Sequence, residues 1–401
     1  MWTLKKLLYR CAHFAMGIAF KRINVPIPEL LSGPGSIRQL PGIIHETAAT
    51  KLLLVTDKGI SSIGLAGDLL EDLGNTNLGC TVFDDVQPNP SIANVEAGLK
   101  VYLDEKCDGI IAFGGGSAMD CAKLIGARAA NPDKPVLAMS GGFKVKNALP
   151  PLFAVPTTAG TGSECTLAAV ITNPDVREKF AVASDKIVPA YAVLDPQLMV
   201  SLPPHITAHT GMDALTHAIE AYVGKAGTPF TDEHAEKAVK IIFADLEQVF
   251  ADGSDLEKRS NLAYASYCAG LAFTRALVGY VHAIAHNLGG LYGVPHGLAN
   301  AIVLPYILEF SREDCETKLA RLAVVGGLGD PQESDRELSH RFIEKIRSMN
   351  ENMGIPTRVA EIQTSDIPLI ARRALAEGNP GYPVPRLMHQ DQCEALLRQL
   401  I

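Results

Sequence analysis

The eight cysteines of this 401-residue chain include no Cys-x-x-Cys pair, and their spacings are irregular. A disulfide framework is therefore excluded, and the thiols read as reduced, as in a cytoplasmic protein. An excess of basic charge is also lacking. With a formal net charge of −8 the chain has no electrostatic footing for nucleic acid. No internal repeat and no low-complexity tract occurs. Acidic residues are missing from the first twenty-eight positions, where Lys5, Lys6, Arg10, Lys21 and Arg22 are all basic. What is present is ordinary globular composition, 47% hydrophobic and 20% charged, at a length that suits two or three domains.

Leu4, Leu7, Leu8, Cys11, Phe14, Ala15 and Ile18 recur at helical spacing, so the first twenty-two residues form a basic amphipathic helix. Lys5, Lys6, Arg10 and His13 interrupt its apolar run, which excludes a transmembrane span. Arg10 and His13 also break the apolar segment that a secretory signal requires. Two readings stay open: a helix packed on its own protein or a second subunit, and a peripheral membrane anchor through residues 1–22.

From about Ile27 to Pro203, short apolar runs alternate with helical segments. Lys51–Thr56, Cys80–Phe83, Gly109–Phe113, Leu152–Val155 and Ala192–Leu194 read as strands. Ser62–Leu73, Ile92–Asp104 and Ala118–Ala129 read as helices. Such alternation gives a Rossmann-like, mostly parallel sheet, and the near-continuous apolar runs suit strands buried on both faces. Past Pro203–Pro204 the pattern becomes helical: His205–Tyr222, Asp232–Phe250, Leu256–Phe273, Tyr280–Tyr292, Ala299–Phe310 and Cys315–Val325. Glu377–Pro385 is rich in turn formers and reads as a loop. The expected organisation is an N-terminal helix (1–26), an α/β domain (27–203) and an all-α domain (204–401).

Gly114-Gly115-Gly116-Ser117 follows one strand directly and opens a helix, where glycine allows close backbone approach and free N–H groups face a phosphate. The dinucleotide fingerprint is incomplete, because Met119 stands at its third glycine. Asp57 closes an earlier strand; it suits ribose hydroxyls or a helix cap. A hydroxyl- and glycine-rich loop, Pro156–Glu164, follows a third strand. Three such loops at strand ends point to one ligand crevice.

In the helical half, Asp213 and His217 lie four apart on one helix face, as do His282 and His286, and His296 follows a Gly-rich loop. Imidazoles with one carboxylate suit Fe²⁺ or Zn²⁺. His205 and His209 continue the Asp213–His217 stripe, so spacing does not exclude His209 as a ligand.

Taken together, Gly114–Ser117 with Asp120 and Lys123, Pro156–Glu164, Gly211–Glu220 and the stretch from His282 to Asn300 resemble the iron-containing, group III alcohol dehydrogenase family. The resemblance runs from about Leu31 to the C-terminus and implies the dehydroquinate-synthase-like architecture of that family. It implies metal ligands at Asp213, His217, His282 and His296, with His286 as a catalytic proton relay beside them. It places Asp57, Asn89, Gly115, Gly116, Ser117, Asp120, Thr157, Thr158, Thr161, Thr166 and Lys179 where the family binds its nicotinamide cofactor; Asp57 favours NAD over NADP by charge repulsion. Phe273 and Arg275 lie toward the expected substrate entrance. There Arg275 stands where many relatives carry asparagine, and Gly378–Pro383 replaces the usual Thr-Asn-Pro-Arg.

The implied activity is a metal-dependent, NAD-linked interconversion of a primary alcohol and its aldehyde, by a homodimer or larger homo-oligomer in the cytoplasm. Alternatives are a hydroxy-acid, semialdehyde or polyol dehydrogenase on the same scaffold, with Arg275 pairing a substrate carboxylate, and a membrane-docked, non-catalytic metal or redox sensor.

Overall fold

Without a proline between Trp2 and Arg22, the chain forms helix α1 over that whole span. The computed structural model describes residues 2–401, and the side chains of all of these but 19–22. By internal contacts the chain divides into two units. One comprises Val25–Leu202 with Ser254–Ala263; the other comprises the chain up to Asn24 with Pro203–Gly253 and Tyr264–Ile401. Two details differ from the sequence expectation. The N-terminal helix groups with the helical unit, and Ser254–Ala263 groups with the α/β unit.

The α/β unit runs β1 (Glu29–Ser32), α2 (Leu40–Glu46), β2 (Lys51–Val55), α3 (Lys58–Ser62), α4 (Gly67–Asn75), β3 (Gly79–Phe83), α5 (Ile92–Asp104), β4 (Gly109–Gly114) and α6 (Gly116–Ala130). There follow β5 (Gly141–Gly142), β6 (Leu152–Pro156), β7 (Ala168–Asn173), β8 (Glu178–Ala183) and β9 (Tyr191–Leu194). Six strands form a parallel sheet in the order β1-β9-β6-β4-β2-β3. Alternate side chains of its central strands go to opposite faces. Leu53, Val55, Ile110 and Ala112 enter one core with Val95 of α5 and Leu124 of α6. Leu52, Leu54, Ile111 and Phe113 enter the other with Ile44 of α2 and Leu73 of α4. Burial on both faces explains why these strands read as unbroken apolar runs.

The single helix expected over Ser62–Leu73 is two helices. Asp57 caps α3 by accepting from the Ile60 amide, and Gly64 at φ +65 breaks the path before α4. Strands β1, β5, β7 and β8 lie outside the expected set. The last three form a small separate sheet, with β7 and β8 antiparallel about the turn at Arg177 (φ +48).

The helical unit contains α7 (Pro204–Val223), α8 (Pro229–Ala251), the C-terminal part of α9 (Leu256–Ala276), α10 (Tyr280–Tyr292), α11 (His296–Val325), α12 (Asp335–Asn352), α13 (Ile367–Gly381) and α14 (Gln390–Leu397). A reciprocal cap between Thr228 and Thr231 starts α8, with Pro229 in its first turn. The two helices expected at Ala299–Phe310 and Cys315–Val325 are the arms of α11, which kinks where Cys315 leaves helical geometry (φ −140). The expected loop at Glu377–Pro385 begins too early, because Glu377–Gly381 is the last turn of α13. Buried Asn379 pins that turn: it accepts from the Tyr280 hydroxyl at 2.5 Å and donates to the Met388 carbonyl at 3.2 Å. Among the described residues no single helix is long and apolar enough to cross a membrane.

Candidate functional site

Helix α7 is buried along almost all of its C-terminal half, and Asp213, His217 and Glu220 recur on it at i, i+4 and i+7. Helix α10 carries His282 and His286 one turn apart. It ends at Gly293, whose left-handed φ of +72 stops the helix, and α11 starts at His296 directly after Pro295. The reversal returns His296 to within 5.4 Å of the His282 ring, centroid to centroid.

Asp213, His217, His282 and His296 each bring one ligand atom into a group whose members all lie within 4.8 Å of one another. Asp213 Oδ1 is 3.8 Å from His282 Nε2 and 3.7 Å from His296 Nε2. His209 is not in this group; its ring lies edge-on to His205. The approach of α7 to α11 depends on Gly297, where a Cβ would stand 2.3 Å from the His209 carbonyl oxygen. Backbone cannot yield as a side chain does. Gly297→Ala is therefore expected to destabilise the fold by about 1–3 kcal/mol and lower bound-metal stoichiometry, read by thermal unfolding and metal analysis.

Asn300, one turn after His296, reports what this group can hold. Its Nδ2 lies 2.7 Å from Asp213 Oδ1, 3.1 Å from His282 Nε2 and 3.2 Å from His296 Nε2. An amide nitrogen has two hydrogens for these three acceptors, and the buried Asn300 Oδ1 has no partner among the described residues. Lone pairs converge here in excess of protons, which is the donor set a divalent cation fits.

Glu220 holds the set from behind. Its carboxylate accepts from the amides of Gly279 and Val281, both at 2.8 Å, and lies 2.6 Å from His282 Nδ1. Burial pushes the Glu220 carboxyl up to about 7, and the amide donors oppose that rise. Burial, then His286, holds the pKa of His282 well below its ordinary value, so the ring is neutral, with Nδ1–H donated to Glu220 and the Nε2 lone pair free for a metal. Phe273 stacks on the His217 ring at 4.1 Å.

His286 stacks on His296 at 5.4 Å and meets Glu377 Oε1 through Nδ1 at 2.8 Å. Tyr382 donates its hydroxyl to the same oxygen at 2.5 Å. Burial pushes Glu377 up, but its electrostatic pairing with His286 and the bonds from His286 and Tyr382 outweigh it and hold the carboxyl below its ordinary range. Arg275 donates Nη1 to the Leu271 carbonyl at 3.1 Å, and its guanidinium lies 5.0 Å over the Phe230 ring.

In the α/β unit, the parallel sheet sets the C-terminal ends of β2, β4 and β6 on one edge, with the chain order reversing between β2 and β4. Ligands lodge at such switch points. Asp57 follows β2, Gly115–Ser117 follow β4, and Thr157, Thr158 and Thr161 follow β6. The last two loops are in contact: a Cβ on Gly116 would meet Thr161 Cγ2 at 2.6 Å, and one on Gly115 would meet Thr158 Oγ1 at 3.4 Å. Thr158 Oγ1 is buried with no partner among the described residues, which suits a polar ligand group beside the glycines. Lys179 of β8 donates to Asn89 at 2.7 Å. Asp120 and Thr166 are turned inward. Asp120 accepts from Ser163 Oγ and the Val170 amide, and Thr166 accepts from the buried Lys123.

Glu220, Asn300 and Tyr382 lie in stretches singled out from sequence but were assigned no role there, and neither was Glu377. Glu220 and Asn300 carried a signal, at one helical turn from a histidine; Glu377 carried none, because its stretch reads as a loop.

The family model described as "Iron-containing alcohol dehydrogenase" matches residues 28–196, and that described as "Fe-containing alcohol dehydrogenase family, C-terminal" matches residues 207–401. The chain is 40% identical to a 1,3-propanediol dehydrogenase of Klebsiella pneumoniae, over 95% of this chain and 100% of the relative. It is 38% identical to an NAD-dependent methanol dehydrogenase of Bacillus methanolicus, over 87% of this chain and 92% of that one. The crystal structure of a 1,3-propanediol oxidoreductase superposes with a TM-score of 0.90 at 38% identity, covering 94% of this chain and 99% of that one. On these matches the chain belongs to the iron-containing alcohol dehydrogenase family and is a metal-dependent, NAD-linked oxidoreductase of alcohols.

Proposed function

We propose that this chain interconverts a small primary alcohol and its aldehyde, with Asp213, His217, His282 and His296 holding Fe²⁺ or Zn²⁺ and the β2–β4–β6 edge holding NAD. The observation that carries the reading is the convergence of Asp213 Oδ1, His282 Nε2 and His296 Nε2 on the Asn300 amide. The relatives support the substrate class, since methanol and 1,3-propanediol are both primary alcohols.

When bound, the metal supplies Lewis acidity toward an alcohol oxygen and NAD supplies the hydride acceptor. The residues supply position and proton handling. Glu220 fixes the tautomer and tilt of His282 through Nδ1. Glu377 does the same for His286, leaving His286 Nε2 to take the alcohol proton in oxidation and return it in reduction. Phe273, flat on His217, walls the site with apolar surface and keeps water off it. The second oxygen of Asp57, beside the position where a Gly114 Cβ would stand, suits a ribose hydroxyl and repels a 2′-phosphate. The eight cysteines are free thiols, which fits a cytoplasmic enzyme.

Protein reconstituted with Fe²⁺ or Zn²⁺ is expected to form NADH from at least one primary alcohol in a broad panel, followed at the NADH absorbance band. Chelation should abolish the rate and metal re-addition restore it. Absence of turnover on every alcohol and aldehyde with either metal would sink the reading.

A further inference from the structure

Helix α1 is amphipathic in the opposite sense to a helix that packs by its apolar stripe. Two of its polar side chains, Arg10 and His13, face the protein, while Lys5 and Lys6 stay exposed. Arg10 donates to the carbonyls of Val384 and Pro385, both at 2.6 Å, and buried His13 meets the Asn379 carbonyl through Nε2 at 2.7 Å. Trp2 meets the His389 ring edge-on at 5.0 Å, and Lys6 lies over Trp2. These contacts fix which side of the helix is covered. The apolar side points away: Leu4 is 63% exposed, Leu7 61%, Leu8 59% and Phe14 73%, with Ile18 continuing the row. At 1.5 Å per residue that row is about 20 Å long, far more apolar surface in one place than singly scattered residues would give.

Charge decides what covers it. Every formal charge before Glu29 is positive: Lys5, Lys6, Arg10, Lys21 and Arg22, on a chain whose net charge is −8. Pairing this helix with the same helix of a second copy would set these cations against one another, with no acid in either segment to relieve them. An anionic lipid surface offers both complements, acyl chains for the leucines and phenylalanine and phosphate or carboxylate charge for the lysines. We propose that the outward face of α1 docks the protein on anionic membrane surfaces, lying in the interface and not crossing it. The proposal goes beyond the catalytic reading and does not depend on it.

The test uses the full chain and sedimentation with vesicles of phosphatidylcholine alone or with one-fifth phosphatidylserine. Binding is expected to be at least about tenfold tighter to the anionic vesicles and to weaken as salt rises. Leu7→Ser/Leu8→Ser/Phe14→Ser, all exposed and far in sequence from the site residues, should lose at least about tenfold in vesicle affinity while turnover and thermal midpoint hold. Equal binding by that variant, or no preference for anionic vesicles, overturns the proposal. So does a wild-type oligomer that falls to smaller species in the variant by light scattering, since the face would then be covered by another copy.

Discussion

Glu220→Gln is expected to lower metal affinity about 10–100-fold while leaving the four ligating side chains in place. The reason is a mismatch of donors. The Glu220 carboxylate receives the amides of Gly279 and Val281 and the Nδ1–H of His282. An amide of the same shape keeps one acceptor oxygen and turns an N–H₂ group toward the other donors. Each donor left facing another costs about 1–3 kcal/mol in a buried site. His282 can relieve the clash by taking the other tautomer, but that puts its proton on Nε2, the atom directed at Asp213 and Asn300, and removes the lone pair a metal needs. Competition titration against a chromogenic chelator reads the affinity. Glu220→Gln with unchanged affinity would mean that His282 needs no carboxylate behind it.

The parts of this site differ in how far the sequence discloses them. Asp213 and His217 are visible because one helix places residues four apart on one face, and spacing alone is then geometry. His296 is visible as a histidine near His282, but its return depends on Gly293 taking a left-handed φ, and a glycine in a string does not state its φ. Glu220 is hidden for another reason: its partners are backbone amides some sixty positions on, and only tertiary packing brings them together. Glu377 is hidden because glycine and proline after it mimic a loop, whereas Asn379, bonded to Tyr280 and Met388, holds the stretch as the last turn of α13. The central strands read well because burial on both faces leaves an apolar run. Strands β7 and β8, half-exposed beside a Pro-Asp turn, leave only a weak alternation. For α1 the periodicity gave the stripe correctly, but a stripe does not say which side the protein covers. Arg10 and His13 settled that through carbonyls near the other end of the chain.

His286→Ala should lower kcat by about 10²–10⁴-fold with metal content unchanged, the range for losing a positioned proton acceptor. Retained metal separates this loss from that of Glu220→Gln. Glu377→Gln tests whether His286 acts alone. In the structure Glu377 Oε1 fixes His286 Nδ1 at 2.8 Å, and Tyr382 fixes that same oxygen from the other side at 2.5 Å. An amide can still accept one bond, so the ring stays in place, but it no longer stabilises positive charge on the imidazole as the proton arrives. Glu377→Gln should therefore reduce kcat, by about tenfold, with KM little changed, because the effect falls on the transition state and not on substrate binding. The double variant His286→Ala/Glu377→Gln should be no slower than His286→Ala, since Glu377 works through a ring that is gone. Additive losses would give Glu377 a role of its own facing the substrate. A His286→Ala enzyme that keeps full kcat would instead remove the relay, leaving proton exchange to solvent.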